Sequence, residues 1–221
     1  MINYKITKFD ISSRKLTKLP DDIDEYTNLI ELDCSDNHIT SLNNLPPTFE
    51  ILFCQYNRLT SLDNLPPTLK ELNCSGNQIT SLDNLPLKLK ILYCNCNRIT
   101  SLDNLPPKLE FLNCQGNQIT SLDNLPPTLK ELYCFHNKIT SLDNLPPNLE
   151  VLNCASNQIT SLDNLPTELE VLYCIFNQIS SLDNLPSTLK ELCCSNNPLK
   201  YDFEPTLENI RNYIDTGIIP E

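Results

Sequence analysis

The chain has 221 residues, 40% of them hydrophobic, which suits a packed core and argues against a disordered chain. Its 16 basic and 28 acidic side chains leave a net charge of −12, a sign that opposes nucleic-acid phosphates and anionic lipid surfaces. No apolar run approaches the roughly 18 residues of a membrane span, and the opening residues lack the continuous apolar stretch of a secretory signal.

In chain order, residues 1–28 read as a degenerate repeat and N-terminal cap. Ile6, Phe9, Ile11, Arg14 and Leu16 occupy columns that later units fill with Leu, Leu, Cys, Asn and Ile. The polar Met1 to Lys5 and the Arg14 replacement mark the cap, and this unit runs 23 residues before Leu29. From 29 to 199 the chain repeats every 20 residues as L-x-x-L-x-C-x-x-N-x-[IL]-x-x-L-x-x-L-P-x-x, as in Leu69 to Lys88. This is the leucine-rich repeat pattern. Around Leu72 and Cys74 the alternation is that of a short strand. The Asn37-to-Asn197 column is placed to cap buried backbone groups where the chain leaves each strand. The return stretch Ser-Leu-Asp-Asn-Leu-Pro-Pro is too short and too rich in proline for a helix, so an extended or polyproline path is expected, with Leu62 and Leu65 turned inward. In the last segment, 200–221, Thr206 to Thr216 places Leu207, Ile210, Tyr213 and Ile214 on one helical face, with Gly217 as C-cap. No linker interrupts this order, so a single domain over 1–221 is expected. The expected fold is a curved leucine-rich repeat solenoid of about ten coils with a parallel sheet on its concave face. At about 4.8 Å per strand the sheet would be roughly 45–50 Å across.

Of the 11 cysteines, nine, Cys34 to Cys194, form one inward column on parallel, in-register strands. Neighbouring Cβ atoms about 4.8 Å apart on parallel vectors do not suit a disulfide. They are expected to pack as small hydrophobes, and no histidine column accompanies them to complete a zinc site. Cys96 and Cys193 should face solvent as free thiols, which fits a reducing, cytoplasmic location.

Leu72 to Asp83, Leu-Asn-Cys-Ser-Gly-Asn-Gln-Ile-Thr-Ser-Leu-Asp, resembles the cysteine-ladder repeats of internalin-type bacterial surface proteins. Leu-Pro-Pro-x-Leu at Leu65 to Leu69 is similar to the 20-residue units of bacterial effector ubiquitin ligases, and such repeats also occur in large DNA viruses. The resemblance implies a solenoid whose sheet face binds protein partners, in the host cytoplasm if the source is a virus or pathogen. The export and wall-anchoring segments of internalins and the catalytic domain of the ligases have no counterpart in this sequence, so the fold carries over and enzymatic activity does not.

The return stretch hardly varies, whereas the outward strand columns do, with a second period of 40 residues. Before each Cys stand Phe53, Asn73, Tyr93, Asn113, Tyr133, Asn153 and Tyr173; two positions after it stand Tyr56, Gly76, Cys96, Gly116, His136, Ser156 and Phe176. Aromatic rings are therefore expected on alternate strands, about 9.6 Å apart, with small or amide side chains between them. Adding Phe111, Phe135 and Ile175 gives a face suited to a protein partner. The expected partner-binding set is Phe53, Tyr56, Tyr93, Phe111, Tyr133, Phe135, His136, Tyr173, Ile175 and Phe176, with Tyr93, Tyr133 and Tyr173 as anchors. The same rings could instead serve cross-strand packing. The Asp63-to-Asp183 column offers oxygens to calcium, but an Asp before Asn-Leu-Pro more often bonds its own turn. His38 and His136 stand five units apart, and no nucleophile–base pair is in view. The expected function is non-enzymatic protein binding, without cofactor, metal, nucleic acid or membrane, by a monomer for which self-association stays open. A glycan or small-ligand receptor using the aromatic rows, or an architectural spacer, are the alternatives.

Overall fold

The computed structural model describes residues 5–217. Met1–Tyr4 of the expected N-terminal cap and Ile218–Glu221 of the C-terminal segment lie outside the described residues. The strands are β1 (Lys8–Asp10), β2 (Glu31–Asp33), β3 (Ile51–Phe53), β4 (Glu71–Asn73), β5 (Ile91–Tyr93), β6 (Phe111–Asn113), β7 (Glu131–Tyr133), β8 (Val151–Asn153), β9 (Val171–Tyr173) and β10 (Glu191–Cys193). They pair in sequence order as one parallel sheet. The register follows the repeat, as in Leu72 beside Leu92, except that β1 is offset by 23 residues so that Phe9 lies beside Leu32. One turn of 3-10 helix, Ile23–Glu25, takes up the longer first return, and the Phe9 and Tyr26 rings stack at 4.7 Å.

Each strand is only three residues long, yet the coils pair well beyond it. Cys94 donates its N–H to Asn113 O at 2.8 Å, Cys96 to Gln115 O at 2.9 Å, and Arg98 to Ile79 O at 2.9 Å. The central strand leucines from Leu32 to Leu172 and the cysteines from Cys34 to Cys174 are fully buried. All eleven cysteines are free thiols, with Cys96 and Cys193 exposed. Burial pushes the column thiols up, to about 12 for Cys34, Cys74, Cys114 and Cys154.

The asparagine column staples each coil to the one before. Asn117 Nδ2 donates to Cys94 O at 3.1 Å, Cys114 O at 2.9 Å and Gln115 O at 3.2 Å, while its Oδ1 accepts from Ile99 N at 2.9 Å. Four buried backbone groups on two coils are thereby satisfied.

No helix forms on the return side among the described residues after Glu25 and before Leu207. The path is not simply extended: it bends at Asn64, held at φ +63°, and again where Leu69 N donates to Pro66 O at 3.1 Å. Asn tolerates the left-handed region, and proline at the second turn position presets φ, which explains Asp-Asn-Leu-Pro-Pro. Leu62 is buried as expected; Leu65 is half-buried, while Leu85, Leu105 and Leu125 sink below the surface. The aspartate column bonds differently from the expectation. Asp83 Oδ2 accepts from Ser81 Oγ at 2.6 Å, and its Oδ1 accepts from Asn104 of the next coil at 3.3 Å. A Ser hydroxyl and a neighbouring amide, rather than its own turn backbone, take these carboxylates.

Helix α1 (Leu207–Thr216) covers the last coil. Thr206 Oγ1 caps it by accepting from Asn209 N at 3.1 Å, and Gly217 closes it at φ +69°. Ile210 is buried, and Arg211 Nη2 donates to Leu189 O at 2.7 Å, satisfying a carbonyl that the next coil would otherwise meet. Tyr213 packs on Phe203 at 5.3 Å. Ile214, expected on the buried face, is 46% exposed, because the ten-residue helix ends as the core runs out beneath it.

Candidate interaction face

Each strand from β2 to β9 carries two outward columns, one on each side of the buried leucine. On β5, β6 and β7 these columns bring three rings together: Tyr93 to Phe111 at 4.8 Å and Phe111 to Tyr133 at 5.5 Å. Tyr93 and Tyr133 stand on alternate strands, and Phe111, from the other outward column, fills the interval and makes the row continuous across three coils. Edge-tilted rings at these separations stabilise one another by about 1 kcal/mol per pair, so the row is both surface and support.

Tyr173 stays apart from this row. Its hydroxyl donates to Glu191 Oε1 at 2.6 Å, and that bond to a carboxylate pushes its ionisation up to about 12. Tyr133 Oη donates to Glu131 Oε2 at 3.3 Å. Burial, then the charges of Glu71 and Glu131, push the Tyr93 hydroxyl up as well. Between Tyr133 on β7 and Tyr173 on β9 the register places Asn153, so the ring row does not continue across β8.

Of the expected partner-binding set, Tyr56, His136 and Phe176 are exposed; Phe53, Tyr93, Phe111, Tyr133, Phe135, Tyr173 and Ile175 are half-buried. The three exposed side chains share one backbone column, and that column is left-handed throughout. Tyr56 has φ +54°, His136 +53° and Phe176 +55°, where the same position in other coils is Gly76 at +63° and Gly116 at +63°. For a bulky residue this conformation costs about 1–2 kcal/mol. The chain holds exposed rings, 59% for Tyr56 and 57% for Phe176, at the positions where glycine would be free of strain.

Gly76 also seats the Tyr56 ring, since a Cβ at Gly76 would stand 2.6 Å from Tyr56 Cδ1, while one at Gly116 would meet Cys96 Sγ at an ordinary 3.5 Å. Both glycines to alanine are expected to lose about 1 kcal/mol to backbone strain. Gly76→Ala should lose more than Gly116→Ala in urea unfolding, and Tyr56→Ala should erase the difference. Equal losses in the parent background would mean the ring does not rest on Gly76.

At the flank of the sheet, Lys70–Glu50, Lys90–Glu110, Lys130–Glu150 and Lys190–Glu170 pair across coils at 2.6–3.0 Å. These pairs are solvated and individually weak. Among the described residues no group of three or more His, Cys, Asp or Glu is placed to hold a metal ion, and no helix is long and apolar enough to cross a membrane.

The profile for "Leucine Rich repeats (2 copies)" matches in overlapping windows from residue 67 to residue 187, more than half of the chain. The chain belongs to the leucine-rich repeat family. No curated protein sequence matches it. Among solved leucine-rich repeat structures it is similar to the functional domain of InlJ from Listeria monocytogenes, which includes a cysteine ladder. That match has 36% identity over 88% of this chain and 45% of InlJ, with a TM-score of 0.74. YopM from Yersinia enterocolitica WA-314 is 29% identical over 91% of this chain and 53% of YopM, with a TM-score of 0.66. Internalin C2 from Listeria monocytogenes is 26% identical over 86% of this chain and 81% of its own length, with a TM-score of 0.70. This leucine-rich repeat chain spans about half the length of the InlJ and YopM structures. Its buried cysteine column is a feature it has in common with the InlJ domain, which includes a cysteine ladder.

Proposed function

We propose that the chain is a non-enzymatic protein-interaction module that takes up its partner on the sheet face. The observation that carries this reading is the left-handed column: Tyr56, His136 and Phe176 hold exposed side chains on backbone where Gly76 and Gly116 sit without strain. Tyr56 rests on Gly76 and His136 on Phe135, yet each ring stays exposed, and an open outer face at a strained position suits partner contact. Tyr56 and Phe176 stand six coils apart, about 29 Å at the strand spacing, a separation within the footprint of an ordinary protein interface. The stack is ordered before the partner arrives, which keeps the entropic cost of association low.

The test exploits the strain. The triple substitution Tyr56→Gly, His136→Gly, Phe176→Gly places the residue that the backbone prefers at each site, so the melting temperature should hold or rise. Affinity capture and mass spectrometry should then show the partner retained by the parent and lost, at least tenfold, by the variant. Undiminished capture by a folded triple variant would sink the proposal. Loss of capture with a falling melting temperature would mean the rings serve the fold.

A further inference from the structure

The described ion pairs leave a pattern of charge unmatched. Glu50, Glu110, Glu150 and Glu170 on the flank each face a lysine, and Glu31 faces Lys8 at 2.7 Å. Glu71, Glu131 and Glu191, in the outward column beside the rings, face no cation among these pairs. They stand on β4, β7 and β10, three strands apart each time. Strand spacing puts successive carboxylates about 14 Å apart. An extended polypeptide advances about 3.3 Å per residue and returns a side chain to the same face every second residue. Four residues therefore cover about 13 Å and end on the starting face.

The intervals between the carboxylates are apolar. Ile91 and Phe111 lie in register between Glu71 and Glu131; Val151 and Val171 lie between Glu131 and Glu191. Tyrosine hydroxyls hold two of the carboxylates, Tyr133 on Glu131 and Tyr173 on Glu191.

We infer that the partner contributes an extended segment laid across the strands, with arginine or lysine at every fourth position opposite Glu71, Glu131 and Glu191. The cation stems lie over the apolar intervals, and a guanidinium or ammonium near Phe111 gains from the Tyr93–Phe111–Tyr133 ring row. This inference rests on the interaction reading above and adds the chemistry and spacing of what is bound.

Two nine-residue fluorescent peptides of identical composition test it: one with arginines at positions one, five and nine of a Gly/Ser chain, the other with the three arginines adjacent. The spaced peptide should bind at least about tenfold more tightly by anisotropy at low salt, a margin that two or three added exposed ion pairs and one cation–ring contact supply. Glu71→Gln, Glu131→Gln together should abolish the preference. Glu168→Gln, Glu208→Gln, which removes the same charge elsewhere, should leave it intact. Equal binding of the two peptides, no saturable binding of the spaced one up to millimolar concentration, or equal loss in both double variants would overturn the inference. The glycine-substitution capture is scored separately: if the peptides fail while that variant still loses its partner, the interaction face stands and only the cationic spacing is wrong.

Discussion

Raising the pH from 8 to 10 under reducing conditions should unfold this protein. Nine thiols, Cys34 to Cys194, sit in one buried column, and burial raises the ionisation of each. An unfolded thiol ionises near its ordinary value of 9.0, whereas folded Cys74 and Cys114 hold their protons to about 12. The folded values lie above the unfolded ones, so this contribution is fully present below 9.0 and is lost as pH climbs from there toward about 12. One unit above its ordinary value, each unfolded thiol gains about 1.4 kcal/mol by releasing its proton. Over the eight thiols from Cys34 to Cys174 that comes to about 11 kcal/mol, the size of a whole domain's stability. Urea midpoints measured between pH 7 and 10 should fall steeply above 9. A thiol reagent at pH 8 should label only Cys96 and Cys193 in the folded protein. A midpoint that stays flat to pH 10, or rapid labelling of the column thiols at pH 8, would mean that the column opens to solvent without unfolding.

The same column explains why cysteine is used here at all. Beside Leu72 a buried thiol fills the core as a small hydrophobe without needing a strong partner. Its Sγ reaches a carbonyl in places, as Cys74 does to Tyr93 O at 3.4 Å, but the column's value is apolar volume. The vulnerability at high pH follows from that choice: a hydrophobe that ionises is stable only while water is excluded or the pH is moderate.

Much of this was legible in the sequence because a solenoid is written one coil at a time. Leu72, Cys74, Asn77 and Leu82 recur at fixed spacing, and each column has one environment along the stack, so period alone placed the strands and the core, while the apolar face of Leu207, Ile210 and Tyr213 ahead of Gly217 placed the cap helix. What the period hid lies between columns. That Phe111 would bridge Tyr93 and Tyr133 depends on ring geometry across two different columns, which a search for alternate strands separates. The left-handed backbone under Tyr56 and Phe176 was signalled by Gly76 and Gly116 in the same column; a glycine that recurs in register with bulky residues marks a positive φ for all of them. That Glu71, Glu131 and Glu191 face no lysine shows only after each flank glutamate has been matched to its own.

Replacing Asn117 by alanine should cost about 4 kcal/mol, far more than the loss of one polar side chain on a surface. Asn117 is nearly buried, and it serves Cys94 O, Cys114 O, Gln115 O and Ile99 N across two adjacent coils. Alanine supplies no donor or acceptor: Ile99 N is left unsatisfied at about 1–3 kcal/mol, and Cys94 O, Cys114 O and Gln115 O, which keep Asn97, Asn137 and Cys96 N as donors, each lose one bond at about 1 kcal/mol. Aspartate should do little better, because it accepts from Ile99 N but cannot donate to the three carbonyls. The position in the stack then decides how the damage shows. In a repeat array each coil is stabilised by its neighbours, so a lesion in the middle weakens the coupling between two halves, whereas one at the end frays a single unit. Asn197, at the C-terminal end, makes the corresponding bonds to Cys174 O at 2.9 Å and Cys194 O at 2.8 Å but is half-exposed, so water can take over part of its role. Asn197→Ala should therefore lose about 1–2 kcal/mol and keep a single unfolding transition. Asn117→Ala should broaden the urea transition or split it in two. Equal losses at the two positions, with a single sharp transition for both, would show that the asparagine column acts coil by coil and does not couple the stack.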